Sequence, residues 1–304
     1  MKEKILRLNL FAGLALLLAS AVLLALSVPF MERWFFTFSW WSFIVFMDGL
    51  NFRLRGNSLL SRSVREFFLL SFFSVSFWCV FELFNLRLKN WSYHGLPTAL
   101  PERWLGYFLS FATVIPALKE LEIFWMGLLE RKRLALFPLE AKRGLRKVFR
   151  VSGILCLLLP VVWPDLFFPL IWLGFILVLE PVNFSRGHPS LLAEMQEGRW
   201  ARFWSLVLTG FFAGILWECL NHWAGSHWKY SLPYIDFLKV FEMPVLGFMG
   251  FLPFALEAFA AASLFLALAG KWKRHPVIKT AFFPVVLLFN GIVFLLIDLL
   301  TFKP

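Results

Sequence analysis

The chain has 304 residues, of which 60% are hydrophobic, 19% aromatic and 16% charged, and its formal net charge is +11. This composition lies outside the range of soluble globular domains. The basic residues fall in short segments between apolar runs rather than along one helix or arm, which argues against a nucleic-acid partner. The sequence therefore predicts an all-α fold, an integral membrane helical bundle.

Nine apolar runs are candidates to cross a hydrocarbon core about 30 Å thick. The first run follows three basic residues and extends from Leu8 to Val28, longer than a signal peptide's apolar region, so it is predicted to be retained. Pro160 and Pro164 leave the fifth and sixth runs open between a tight helical hairpin and one broken passage. The predicted spans are residues 8–28, 34–50, 67–86, 104–127, 149–163, 166–182, 203–222, 243–269 and 279–301.

Two long segments of the chain recur. Trp40–Leu60 resembles Trp172–Leu192 with one gap, and Phe81–Glu120 resembles Trp217–Glu257. The repeat unit then contains four spans, and an even number predicts two parallel repeats that enter the membrane from the same side. The predicted division is a first four-helix repeat (1–130), a basic cytoplasmic linker (131–148), a second four-helix repeat (149–270) and a C-terminal transmembrane helix (271–304).

Lys and Arg residues favour one orientation. Most of them lie in segments that share a side with the N-terminus, and eight lie between Arg131 and Arg150. The positive-inside rule then predicts an inner-membrane (plasma-membrane) protein with a cytoplasmic N-terminus and a C-terminus outside. The basic linker is interpreted as a topology signal with some affinity for anionic lipid headgroups.

Carboxyl and amide side chains recur three residues apart on apolar helices, so each pair shares one helix face. A charged carboxylate near the bilayer centre costs about 2.5–3.5 kcal/mol, which predicts that these groups face the bundle interior. The alternative interpretation is interhelical hydrogen bonding that only holds the bundle together. The pairs are Asp48 with Asn51, Glu82 with Asn85, Glu180 with Asn183, and Glu218 with Asn221.

Two further acids follow prolines at the same spacing, in Pro116-x3-Glu120 and Pro253-x3-Glu257. A proline inside a helix frees a carbonyl one turn earlier, here at Ala112 and Met249, and the acid four residues on shares its face. The pattern predicts a kink, an unpaired acceptor and an acid in one place. The candidate catalytic residues are therefore Glu82, Glu120, Glu218 and Glu257.

The loops after the glutamate–asparagine pairs carry Trp91-x-Tyr93 and Trp228-x-Tyr230. One interpretation is an interfacial aromatic belt; the other is a pair of lids whose aromatic rings line a pocket for an apolar or cationic ligand. On the second interpretation the candidate binding residues are Trp91, Tyr93, Trp228, Tyr230, Asn85, Asn221, Asp48, Asn51, Glu180 and Asn183. The two copies are expected to share one cavity with the four catalytic candidates.

No metal or cofactor is predicted. Cys79, Cys156 and Cys219 lie in apolar runs without ligand spacing and are interpreted as small buried hydrophobic residues. His222 and His227 have no counterparts at the equivalent positions of the first repeat. No zinc-protease, nucleotide-binding or nucleophile-elbow motif is present.

The run of Trp217-Glu218-x2-Asn221, Gly225, Trp228-x-Tyr230 and Pro253-x3-Glu257 resembles the integral-membrane lycopene cyclase domain family. The resemblance covers about 45 residues of each repeat by count along the sequence. It implies paired similar halves and proton chemistry on an isoprenoid without a redox cofactor. The chain departs from the family's Pro-x-Glu-Glu pattern, has Phe81 before the first acid, and has an extra span in each repeat.

Three functions fit these residues. The favoured hypothesis is an intramembrane acid–base enzyme that acts on an isoprenoid, carotenoid-like or other lipid; its partner would be a membrane lipid or lipid-soluble small molecule. The alternatives are a proton- or cation-coupled transporter using the same acids and a structural or assembly membrane protein.

Overall fold

The computed structural model describes residues 2–130, 136–273 and 276–303 and is predominantly α-helical. Residues 131–135 of the predicted basic linker lie outside the described residues. The helices are α1 (Lys2–Ala25), α2 (Pro29–Arg55), α3 (Leu59–Arg62), α4 (Val64–Leu88), α5 (Leu100–Phe111), α6 (Val114–Glu130), α7 (Arg143–Val162), α8 (Pro164–Phe167), α9 (Ile171–Arg186), α10 (Leu191–Gln196), α11 (Ala201–Trp223), α12 (Phe251–Ala269) and α13 (Pro276–Leu300). Single 3₁₀ turns are formed by Phe168–Leu170, Val245–Gly250 and Gly270–Lys273.

Six helical segments of the described chain are long and apolar enough to cross a membrane: Leu8–Ala25, Val64–Leu88, Pro164–Arg186, Ala201–Trp223, Val245–Gly270 and Thr280–Leu300. The all-α fold class is therefore confirmed, with six candidate membrane-spanning helices among the described residues. The other three predicted spans coincide with α2, with α5 and α6 together, and with α7. Helices are present there, and the count of nine spans stays a prediction.

Both prolines lie in the first turn of an α-helix rather than in the middle of one. Pro116 is the third residue of α6 and Pro253 is the third residue of α12. Backbone amides in the first turn of a helix have no acceptor within the helix. Proline at that position therefore removes no helical hydrogen bond. The span predicted from 104 to 127 is consequently two helices, of 12 and 17 residues.

Ser74 of α4 bridges the break between α5 and α6. Its hydroxyl donates to the Phe111 carbonyl at 2.5 Å and accepts from the Ile115 amide at 3.0 Å. One buried side chain thus satisfies an acceptor at the end of α5 and a donor at the start of α6, as backbone groups at helix ends inside a bundle require.

Helices α1 and α2 pack as an antiparallel pair whose contact depends on glycine. A Cβ on Gly13 would lie 2.3 Å from the Phe46 amide nitrogen, and one on Gly49 would lie 2.1 Å from that of Leu10. Small residues allow this close backbone approach, as is common in membrane helices. Helix α7 packs along α9 in the same way, so the segment around Pro160 and Pro164 folds back on itself as a hairpin.

Five short strands lie among the helices of the described residues: β1 (Trp91–His94), β2 (His227–Tyr230), β3 (Lys239–Val240), β4 (Met243–Pro244) and β5 (Phe302–Lys303). Strands β1 and β2 pair antiparallel, with Trp91 opposite Tyr230 and Tyr93 opposite Trp228. The C-terminal β5 pairs in parallel with the other edge of β1. The two aromatic loops predicted from sequence therefore meet in one three-stranded sheet. We call this end of the bundle the strand end.

Candidate functional site

Two asparagines hold the aromatic strands against the helices. Asn85 near the end of α4 donates to the Trp91 carbonyl at 2.9 Å and accepts from the Trp91 amide at 3.1 Å. Asn221 near the end of α11 makes the same two bonds to the backbone of Trp228, each at 2.9 Å. Both asparagines are fully buried. Each therefore satisfies one backbone donor and one acceptor that would otherwise be buried without a partner.

Glu82 lies one helical turn before Asn85 and is completely buried. Three side chains donate to its Oε1 atom: the Trp78 indole at 2.8 Å, the Trp91 indole at 3.1 Å and the Tyr93 hydroxyl at 2.5 Å. Its Oε2 atom has no partner among the described residues. The carboxyl group thus fixes the orientation of three aromatic rings through one oxygen atom.

Glu218 lies one turn before Asn221 and is also completely buried. Its Oε1 atom accepts the Tyr230 hydroxyl at 2.8 Å, the counterpart of the bond between Tyr93 and Glu82. Its Oε2 atom likewise has no partner in the described part of the chain. Glu218 therefore shares the tyrosine contact of Glu82 and lacks the two indole donors.

A cavity of about 640 Å³ lies in front of these carboxyl groups, a size suited to one small or medium ligand. All four aromatic residues of the sequence motifs line it, together with Trp78, Trp172 and Trp217. Other lining residues belong to α9, α11, the Val245–Gly250 turn and the first residues of α12. The wall is therefore formed mainly by aromatic and aliphatic side chains.

A smaller cavity of about 70 Å³ lies next to it and shares the residues Trp78, Tyr93, Trp217 and Trp228. Its remaining wall is more polar and includes Arg33, Arg103, Ser110 and His227. The four shared aromatic residues thus separate an apolar compartment from a small polar one at the strand end.

Burial determines the protonation of the two strand tyrosines. It raises the pKa of Tyr93 well above the ordinary range of a phenol, and the neighbouring Glu82 raises it further. Burial, followed by the charge of Glu218, raises the pKa of Tyr230 in the same direction. Both hydroxyl groups therefore keep their protons at neutral pH and remain hydrogen-bond donors.

Glu120, Asn51 and Asp48 form a separate group at the opposite end of α2. Asn51 donates to the Glu120 carbonyl at 2.8 Å and to its carboxylate at 2.7 Å. Glu120 also accepts the Leu59 amide at 3.0 Å, and Asp48 accepts the Leu60 amide at 2.9 Å. These acids bind backbone amides at the start of α3, which favours the interhelical hydrogen-bonding interpretation for them.

Glu180 and Asn183 occupy similar positions on α9. Glu180 accepts the Ser190 hydroxyl at 2.7 Å and the Leu192 amide at 3.2 Å at the start of α10. Asn183 donates to the Ala260 carbonyl at 2.9 Å. Both residues are buried and connect helix ends at a distance from the aromatic cavity.

Glu257 stands apart from both groups. It is completely buried on α12, and its Oε1 atom accepts the Phe175 amide at 2.9 Å. Its Oε2 atom has no partner among the described residues. The neighbouring Leu256 lines the aromatic cavity, while Glu257 itself points from α12 towards α9.

The four glutamates are all buried, as expected, but the structure does not bring them into one cavity. None is among the residues that line the aromatic cavity. Glu82 and Glu218 lie directly behind its tyrosines, whereas Glu120 binds the α3 start and Glu257 binds α9. Glu120 and Glu257 are instead held away from the cavity, because the backbone amides of Leu59 and Phe175 supply the hydrogen bonds that their buried carboxyl groups require.

Sequence reasoning missed Trp78 as a site residue. It lies four residues before Glu82, and side chains at that spacing share a helix face. The helical period could therefore have placed Trp78 next to Glu82.

Asp298 of α13 was also missed. It accepts Arg103 at 2.7 Å, Trp104 at 2.8 Å and Tyr107 at 3.0 Å. These contacts tie the C-terminal helix to α5 beside the sheet. No local pattern connects residues so far apart in the chain.

Among the described residues, no group of three or more His, Cys, Asp or Glu side chains is arranged to hold a metal ion. Cys79 is buried, while Cys156 and Cys219 are only partly buried, and all three are free thiols. The side chains available for chemistry around the cavity are therefore carboxyl, hydroxyl and aromatic groups.

Comparison with protein-family models, with curated proteins and with solved structures finds no match to this chain. The resemblance to the lycopene cyclase domain family therefore depends only on the motif residues given above.

Proposed function

We propose that this chain is a membrane enzyme that binds a lipid in the aromatic cavity and catalyses acid–base chemistry on it without a redox cofactor. The observation that carries the proposal is the pair of hydrogen bonds that Tyr93 and Tyr230 donate to the buried carboxyl groups of Glu82 and Glu218, on one wall of a large apolar cavity. Burying a carboxyl group inside a membrane protein is costly, and such groups commonly mark a functional site. Here two such groups each reach the cavity through one hydroxyl.

Donor counts assign different roles to the two carboxyl groups. Three donors converge on Glu82 and one on Glu218. Charge-assisted hydrogen bonds favour the ionised form of an acceptor, so Glu82 is the proposed base and Glu218 the proposed acid. An acid and a base acting at one site must differ in environment in this way.

The reaction that fits is isomerisation of a carbon–carbon double bond. Glu218 passes its proton to the Tyr230 oxygen while Tyr230 passes its own proton to one alkene carbon, so the π electrons form the new C–H bond. This requires the Tyr230 hydroxyl hydrogen to rotate towards the lipid. Tyr93 then takes a proton from a carbon next to the resulting cation and passes its own to Glu82, and the released C–H electron pair forms a new double bond.

Aromatic rings favour this path, because their faces attract the positive charge that develops on carbon. Trp78, Trp217 and Trp228 all line the cavity, and the ring centroids of Trp78 and Trp217 lie 5.3 Å apart. Both tyrosines stay neutral before and after the transfers, consistent with their raised pKa values. After the transfers Glu218 is ionised and Glu82 is protonated, so proton exchange with solvent must restore both groups before the next turnover. No electrons are gained or lost, and no oxidant or reductant is required.

We also propose that the chain comprises two parallel four-helix repeats and crosses the inner membrane nine times, with its N-terminus in the cytoplasm. Matched contacts support the repeat. The tyrosine–glutamate and asparagine–strand bonds occur once in each half. Strands β1 and β2 pair antiparallel in the register expected of two copies related by a two-fold axis.

One contact departs from this symmetry. Asn51 binds the carbonyl of Glu120, while Asn183 binds that of Ala260, one turn beyond Glu257. Glu120 and Glu257 therefore lie in different surroundings, although each follows a proline by four residues. The proposed enzyme uses the matched strand end and not these two acids.

A comparison of lipid extracts tests the proposal. Cells expressing the wild-type chain, Glu82→Gln or Glu218→Gln are extracted, and their lipids are separated by mass and by retention time. Glutamine keeps the Oε1 acceptor, so both variants should fold. Glu66→Gln is the matched control, because Glu66 lies on the same helix as Glu82, in its first turn.

The expected result is a lipid isomer present with the wild type and the control and absent with both site variants. Identical extracts from all four strains would contradict the enzyme. Proton or cation flux through the purified wild-type protein, lost in the same variants, would favour the transporter alternative instead.

A further inference from the structure

We infer that the lipid bound in the aromatic cavity is uncharged and reaches it sideways from the bilayer, through an opening formed by Leu173, Trp204, Leu246 and Met249. We call this opening the lateral mouth. The inference rests on the proposed function and deepens it, because it names the class of ligand and its route.

The mouth residues both line the cavity and face outwards. Leu173 and Trp204 are each 41% exposed, Leu246 is 54% exposed and Met249 is 63% exposed. Buried lining residues such as Trp228 and Phe254 belong to the closed part of the same cavity. The cavity therefore reaches the surface of the molecule at a rim of large apolar side chains.

That rim lies where a bilayer would be. Leu173 belongs to the candidate span Pro164–Arg186, Trp204 to Ala201–Trp223, and Leu246 and Met249 to Val245–Gly250 at the start of the span Val245–Gly270. The opening is lined by large hydrophobic side chains from three candidate spans. Lipid tails are as apolar as these side chains, so contact between them is not unfavourable. A lipid tail is thus the occupant that fits the mouth.

The cavity wall also determines the charge of the ligand. None of its lining residues is Asp, Glu, Lys or Arg. An ionised headgroup in such a site would lose its hydration without gaining a counter-charge, which is strongly unfavourable.

The arginines of the neighbouring small cavity do not alter this conclusion, because they are already paired. Arg103 binds Asp298 at 2.7 Å and the carbonyls of Pro97 and Thr98 at 2.8 and 3.0 Å. Arg33 binds Glu102 at 3.2 Å. Neither arginine of the small cavity therefore supplies an unpaired positive charge for a phosphate group.

Trp228 identifies the polar end of the ligand. It borders both cavities and is 8% exposed, and its indole nitrogen has no acceptor among the described residues. A buried donor without an acceptor is unfavourable, and a ligand oxygen would satisfy it. The ligand is accordingly a neutral lipid with an oxygen-bearing end, such as a long-chain alcohol.

The segment from Ser231 to Gly250 covers the cavity beside the mouth. Leu232, Ile235 and Met243 line the cavity from this segment. Three of its non-glycine residues, Tyr234, Leu238 and Phe241, have φ values of 64°, 50° and 57°. Residues other than glycine rarely adopt this left-handed backbone conformation, and such conformations are concentrated at active sites and ligand-binding segments.

Photolabelling of the purified full-length protein tests the route. The probe is a long-chain alcohol that carries a diazirine in its tail, and labelled peptides are located by mass spectrometry. Met249→Trp should reduce labelling of cavity residues roughly tenfold, because the larger side chain fills the mouth. Leu299→Trp is the matched control, since Leu299 is 68% exposed on another span and does not line the cavity.

Two further comparisons test the ligand class. The phosphate monoester of the same probe should label the cavity at least tenfold less than the alcohol. Trp228→Phe should lower labelling by the alcohol about three- to tenfold, the effect of one neutral hydrogen bond, and leave labelling by the matching hydrocarbon unchanged. Trp172→Phe is the control for changing an aromatic residue of the same wall.

Equal labelling of wild type and Met249→Trp would overturn the lateral mouth. Equal labelling by the alcohol and its phosphate, or an equal loss of alcohol and hydrocarbon labelling in Trp228→Phe, would overturn the ligand class. Labelling needs no turnover, so Glu218→Gln should be labelled like the wild type. If labelling follows these expectations while no lipid product is ever found, the inference stands and the proposed enzyme fails.

Discussion

Glu82 and Glu218 both lie one turn before a buried asparagine, and both accept a tyrosine hydroxyl behind the same cavity, but Glu82 also accepts two tryptophan indoles. The asparagine contacts are nearly the same in the two halves, with distances of 2.9–3.1 Å. The asparagine contacts that hold the strands are therefore the same in the two halves, whereas the hydrogen-bond donors around the two acids differ. This difference is what an acid and a base need if they divide one reaction between them.

Removing each carboxyl group tests the difference most strongly. Glu82→Ala leaves the donors of Trp78, Trp91 and Tyr93 buried without an acceptor, and each such group costs about 1–3 kcal/mol. The expected loss of stability is about 3 kcal/mol or more. Glu218→Ala leaves one donor, that of Tyr230, and should cost about 1–3 kcal/mol. Thermal unfolding in detergent measures both, and equal losses would contradict the asymmetry.

The asparagines should behave alike. Asn85→Ala and Asn221→Ala each leave one backbone donor and one backbone acceptor of a strand without a partner. Each should cost about 2–6 kcal/mol by the same accounting. Unfolding temperatures of the two variants should therefore fall together. A large difference between them would mean that the two strands are not held in equivalent ways.

A smaller effect is expected at the end of the central strand, β1. Burial lowers the pKa of His94, and the charges of Lys229, His227 and Lys303 lower it further. The folded chain then binds this proton less readily than the unfolded chain, whose histidine has a pKa of about 6.5. The contribution of His94 to stability is therefore complete above about pH 6.5 and is lost as the pH falls below it.

His94→Gln removes this group, so the variant should lose less stability than the wild type between pH 8 and pH 5.5. Unfolding temperatures at the two pH values provide the measurement. His188→Gln is the control, since His188 lies away from the sheet and next to Asn183. If the unfolding temperature of the His94 variant falls with pH as steeply as that of the wild type, this account of His94 is contradicted.

The sequence alone indicates the aromatic wall. Trp91 and Tyr93, and likewise Trp228 and Tyr230, are two residues apart, and that spacing places both rings on one face of a strand. The repetition of the motif with an acid and an amide before it indicates that the two loops have a common use. All four rings do line one cavity.

Other features depend on tertiary contacts that no local pattern contains. His94 and His227 are not equivalent positions of the repeat, yet antiparallel pairing places them opposite each other with ring centroids 5.9 Å apart. Register of this kind is set by the helices and loops that position the strands. The break between α5 and α6 was likewise hidden, because a proline can either kink a helix or begin one.

Incorporation of solvent deuterium tests the central claim most directly. The purified protein in lipid is incubated in D₂O with extracted neutral lipids, and the carbon-bound deuterium of each lipid is measured by mass spectrometry. Proton donation by way of Glu218 and removal by way of Glu82 predict deuterium on a lipid carbon with the wild type and with Glu66→Gln, and none with Glu82→Gln or Glu218→Gln. Deuterium incorporation that is the same in all four proteins would contradict acid–base chemistry at this site.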